Sequence, residues 1–176
     1  AVALGLERAL LGGVDGGWVC HRLVLLALQC GAPDLARQHA MAAVSCGPES
    51  GTALLDLAGR LAATGQKAEA LAVAEGVAAD PRHRAAVMEL RHRLLGADAI
   101  GTDDLDALIA DEAPDVAAIR LWSRIALLRK PGYGAAAQAV SALIARLGTS
   151  TDTDSAPKLA QAHLARFRLL SRSGAR

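Results

Sequence analysis

Apolar residues recur along this chain at steps of three and four, and Gly or Pro breaks the runs at regular distances. From Trp18 to Cys30, a wheel of about 100 degrees per residue spreads Leu23, Ala27, Cys20, Val24 and Leu28 around most of the circumference. Only Trp18, Arg22 and Gln29 form a polar stripe, so this helix is expected to be sandwiched between others. Thr52 to Ala63 gathers Leu54, Leu57, Ala58 and Leu61 on one face, with Asp56 and Arg60 paired one turn apart on another. The same periodicity predicts helices over Lys67–Ala79, Arg84–Leu95, Asp103–Asp111, Val116–Leu128, Ala135–Leu147 and from Ser155 onward. No stretch alternates as a half-buried strand requires, and Ala and Leu are strong helix formers. The fold class read from the pattern is all-α.

The breaks have a period. Gly31 and Gly65 are 34 residues apart, as are Ala36 and Ala70, and Pro48, Pro81 and Pro114 follow at steps of 33. A fixed spacing of this size marks a helical solenoid. Gly31 ends one helix, and Pro33 with Asp34 suits the first turn of the next. The expected turns fall near Gly31, Pro48, Gly65, Pro81, Gly96 to Thr102, Pro114 and Gly132. Ala1 to Leu11 reads as a helix ended by Gly12-Gly13, the second helix of a cut-off repeat. At the other end, Gly148 to Asp154 reads as a polar linker, Ser155 as a helix cap and Pro157 as a first-turn residue. The last helix is expected to bury Leu159, His163, Leu164, Phe167 and Leu170, and to turn Lys158, Gln161, Arg168 and Arg172 to water as a terminal cap. The expected organisation is repeats over residues 1–148, a linker over 149–154 and a capping helix over 155–176.

Composition sharpens this picture. Apolar residues make up 52% and aromatic residues 2%, so a core of Ala, Leu and Val with closely packed backbones is expected. Formal net charge is +1, which supplies no global field toward nucleic acid or an anionic membrane. Charge is sorted locally: seven acids and no Lys or Arg lie between Asp98 and Asp115, and five cations with no acid lie between Ser155 and Arg176. No apolar run reaches membrane-spanning length. Three cysteines without a Cys-x-x-Cys pair argue against a disulfide framework and a zinc site, and a reducing cytoplasm is the expected home. The chain lacks an initiating Met and opens without the basic start of a signal peptide, so it is expected to be a processed protein or a piece of a longer one.

Candidate chemistry is sparse. His21, His39, His83, His92 and His163 show no metal-ligand spacing, and no metal or other cofactor is expected. Cys20, Cys30 and Cys46 sit among Ala and Leu and read as buried structural thiols. Gly12-Gly13 and Gly16-Gly17 follow a helix and lack a Lys partner, unlike a phosphate-binding loop. The acidic segment lacks the alternate spacing of a calcium loop and reads as a solvated face. Trp122, among Ala118, Ile119, Ile125 and Ala126, reads as core. Trp18 has two readings: it covers Leu4 and Leu11, or it contacts a partner together with Arg22.

With Gly17 as first position, Leu23, Gly31, Ala36, Ala43 and Pro48 fall where the tetratricopeptide repeat places its leucine, turn glycine, two alanines and proline. Leu57, Ala58, Gly65 and Ala70 repeat the match, with Pro81 one residue early. The chain resembles that family over about Gly17 to Pro81 and again over Asp115 to Gly148, and less between. It departs from the pattern at the aromatic positions, where Ala27, Ala40, Leu61 and Ala74 stand. Ankyrin repeats share the period, but their Thr-Pro-Leu-His phrase is absent. The resemblance implies a right-handed superhelix of about four antiparallel helix pairs with a helix at each end. It also implies a non-catalytic scaffold that binds a partner helix or peptide in a groove lined by the first helix of each pair. Carried onto this sequence, that groove presents Trp18, His21, Arg22, Gln29, Thr52, Asp56 and His92, with Leu25, Leu55, Met88, Leu121 and Ile125 as its apolar lining. Such a groove also favours self-association. The alternative is a helical regulatory or substrate-positioning segment of a larger enzyme or transcription regulator.

Overall fold

A computed structural model describes residues 15–110, 114–129, 132–149 and 154–174. Among them are nine α-helices and no strand. In chain order they are α1 (Gly16–Gln29), α2 (Pro33–Cys46), α3 (Pro48–Ala63), α4 (Lys67–Val77), α5 (Arg84–Leu95), α6 (Thr102–Ala110), α7 (Val116–Leu128), α8 (Tyr133–Gly148) and α9 (Ser155–Ser173). Short 3-10 turns at Pro81–His83 and Ala97–Ala99 precede α5 and α6. The helix predicted over Ala1 to Leu11 and most of the linker predicted over 149–154 lie outside the described residues.

The spacing of Gly31 and Gly65 is realised as the same closing turn made twice. After α1, Gly31 takes φ +67° while its N–H bonds the Leu28 carbonyl at 3.0 Å and the Ala32 N–H reaches back to Ala27 at 2.9 Å. After α3, Gly65 takes φ +82° while its N–H bonds the Ala62 carbonyl at 3.2 Å and the Gln66 N–H reaches back to Leu61 at 2.9 Å. A left-handed residue whose neighbours satisfy the last carbonyls is the usual helix stop, and glycine adopts that conformation without strain.

Helix starts are equally local. Asp15 accepts from the Gly17 N–H at 3.0 Å, and Asp115 accepts from the Ala118 N–H at the start of α7. Pro33 opens α2, and Pro48 opens α3 four residues ahead of the predicted Thr52, because proline's fixed φ suits a first turn that needs no N–H. At the end of the chain, Ser155 is the first helical residue of α9 and Asp154 occupies the cap position expected for Ser155.

The chain divides into two compact units, Ala1–Leu94 and Leu95–Arg176. In the first, α2 packs against α1, α3 and α4, and its buried side chains are Ala36, Ala40 and Ala43, with Val44 packed half-buried beside them. Leu54, Val73, Val77 and Val24 fill the space around them. Because α2 contributes such small side chains, α4 comes very close to it. A Cβ built on Gly76 of α4 would lie 2.5 Å from the Arg37 carbonyl oxygen and 2.6 Å from the Ala40 Cβ. Close backbone packing, expected from an aromatic-poor core, is therefore present at the α2–α4 contact.

In the second unit, α9 lies against α7 and α8, and α6 against the same two helices. Trp122 is the largest fully buried side chain, with its indole N–H donating to Asp106 at 3.3 Å. The acidic segment is held by cations from elsewhere in the unit. Arg129 donates to the carbonyls of Ala97 and Ile100, and Arg146 donates to those of Ile109 and Ala110, the last turn of α6. Free carbonyls at a helix C-terminus favour a cation, and α6 has no Lys or Arg of its own.

The face of α9 differs from the expected one. Ala162, Ala165 and Leu169 are buried, whereas His163 and Leu164 are exposed and Phe167 is 69% exposed. The helix has two apolar stripes, and the one rich in alanine is buried, as a close approach to α7 and α8 requires. His163 is thus a surface residue and not a packing histidine.

Candidate interaction surface

The accessible side of α1 is the polar stripe read from its wheel. Trp18 is 49% exposed, and the Arg22 guanidinium carbon stands 5.2 Å from the centre of its ring. That is cation–π distance, and it holds two long side chains in one arrangement on a helix that is otherwise largely buried. His21 lies beside them, half-buried. Burial lowers its pKa, and the charges of Arg22 and of Arg60 on α3 lower it further. Gln29 is exposed at the end of α1, and Thr52 and Asp56 are exposed on α3. Leu25 and Leu55 are half-buried and pack against the core of the first unit. Covering of Trp18 by Leu4 and Leu11 lies outside the described residues.

The remaining predicted lining is not on a surface. Met88, Leu121 and Ile125 are buried, so the expected apolar floor is core, and polar and charged groups dominate what is accessible. Wheel positions do not distinguish a groove-facing residue from one facing a neighbouring helix, since both are apolar. His92 is half-buried, with its Nδ1 buried and without a hydrogen-bond partner.

Two cysteines also differ from expectation. Cys20 is buried, but Cys30 and Cys46 are exposed. Both exposed thiols sit where helices end, Cys30 at the cap of α1 and Cys46 as the last residue of α2. Solvent reaches the chain there whatever the surrounding composition.

Between α4 and α5, Asp80 accepts from the backbone N–H of Arg82 and from its guanidinium. These bonds hold its carboxyl at a pKa of about 2, below the usual carboxylate range. His83 packs on Gly51 of α3, where an added Cβ would fall 2.3 Å from the His83 Nε2. Asp80, Arg82 and His83 therefore fasten the α4–α5 connection.

Among the described residues, no group of three or more His, Cys, Asp or Glu side chains is placed to hold a metal ion. None of the described helices is long and apolar enough to cross a membrane. No family model matches the sequence, and no curated protein or solved structure matches it. The class defined by the fold is accordingly an all-helical protein of two alanine-rich units.

Proposed function

We propose that the chain is a protein–protein interaction module of the tetratricopeptide type, which binds a partner helix or peptide without catalysis. The observation that carries this reading is the Trp18–Arg22 pair, a half-exposed aromatic ring with a guanidinium over it. Trp, Tyr and Arg are the residues most enriched where a few side chains dominate binding: Trp buries large area with few rotamers to fix, and Arg adds a planar charged group that stacks and donates several hydrogen bonds. The repeated closing turns at Gly31 and Gly65 support the repeat resemblance. On this reading Thr52, Asp56 and His92 belong to the same binding surface, and the predominance of polar groups among the accessible residues favours an amphipathic partner with charged residues beside its apolar face.

Trp18→Ala is expected to weaken binding of a peptide selected on this chain by about 1–3 kcal/mol, with helix content unchanged. Titration calorimetry measures the first and far-UV circular dichroism the second. Undiminished affinity would remove Trp18 from the binding surface, and loss of helix would make it a core residue.

A further inference from the structure

The cysteines of the first unit offer a site separate from the interaction surface. Cys20, 7% exposed, lies on α1, and Cys46 lies 26 positions later at the exposed end of α2. The two thiols are neighbours across the α1–α2 interface, close enough for each sulfur to feel the other, while the Cys46 thiol donates to the Ala42 carbonyl of its own helix at 3.4 Å. The backbone packing agrees with this: a Cβ on Gly17, one turn before Cys20, would lie 3.8 Å from the Cys46 Cβ, so the first turns of α1 lie against the end of α2. Cys30 belongs to the opposite end of α1.

We propose that Cys46 and Cys20 form an oxidative modification site that reacts with a small hydroperoxide and closes a disulfide between α1 and α2. The exposed Cys46 thiolate attacks the peroxide oxygen, the O–O bond breaks, and an alcohol or water leaves with a solvent proton. Cys46 is then a sulfenic acid. The Cys20 sulfur attacks the Cys46 sulfur, the S–O bond breaks, and hydroxide departs as water after taking the Cys20 proton. The two thiols have lost two electrons to the peroxide, and thiol reduction restores them. Burial, followed by the neighbouring Cys46 sulfur, pushes the Cys20 thiol up, which assigns Cys20 the second step and not the first.

Hydrogen peroxide added to the reduced full chain tests this. Intact mass should fall by about two hydrogens, and two of the three thiols should be lost to alkylation after denaturation. Peptide mapping without reductant should join Cys20 to Cys46 while Cys30 remains alkylated, at a yield independent of protein concentration. Cys46→Ser should abolish the cross-link, and Cys20→Ser should leave a sulfenic acid that a 1,3-diketone traps at Cys46. Because Cys46 is exposed, its variant keeps the test decisive even where Cys20→Ser fails to fold. Oxidation of Cys46 with Cys20 still alkylatable, or cross-links only between chains, overturns the proposal.

Discussion

Trp122→Ala is expected to destabilise the second unit by about 3–5 kcal/mol, the range for removing a buried Trp side chain. Trp122 is 1% exposed, so truncation opens a void and leaves Asp106 without the indole N–H. A cavity of about 210 Å³ already borders the ring, lined in part by Ala126, Ala135, Ala136 and Ala139. These alanines have no rotamers with which to refill the space, so any closure of it falls to longer side chains on the same wall such as Leu105 and Arg129. A domain of this size has roughly 5–15 kcal/mol of stability in total, so the variant should lose a large fraction of it and unfold at a much lower urea concentration. Urea unfolding followed by circular dichroism measures the change. A cost below about 1 kcal/mol would mean that the ring is not the centre of this core.

Gly76→Ala and Gly59→Ala should shift stability in opposite directions although the exchange is the same. Both glycines are helical, and alanine in a helix interior gains about 1 kcal/mol over glycine. At Gly59 a Cβ meets nothing within 4 Å, so that gain is realised. At Gly76 the new carbon falls 2.5 Å from a backbone oxygen and 3.1 Å from the Met41 nitrogen, neither of which a rotamer change can move. The α2–α4 contact must open, and overpacking of this kind costs about 1–3 kcal/mol, more than the propensity gain. Urea midpoints of the two variants check the sign, and a stabilising Gly76→Ala would contradict the close approach.

Much of the fold was legible because its punctuation is local. Gly31, Gly65, Pro33 and Pro48 act through their own backbone preferences, and Asp115 caps the helix that begins at the next residue by accepting from the N–H three residues on. Trp122 was legible as core because apolar neighbours surround it on every side of its wheel. The faces of helices were harder. In α9 the bulky stripe of Leu164 and Phe167 looks like a core face, but the neighbouring helices approach the alanine stripe. Burial there depends on which surfaces meet, a property of the tertiary packing that α9's own periodicity does not carry. Met88, Leu121 and Ile125 were misplaced for the same reason. The Trp18–Arg22 stripe was readable because two polar-edged residues interrupt an apolar helix, whereas the Cys20–Cys46 proximity spans two helices and has no sequence signal.

The most direct test of the interaction reading is to map where a peptide selected on this chain binds. Amide hydrogen exchange, compared with and without that peptide, should show added protection on α1 around Trp18 and Arg22 and on α3 around Thr52 and Asp56, with the protection lost in Trp18→Ala. Protection confined to the second unit, or unchanged by Trp18→Ala, would contradict the account.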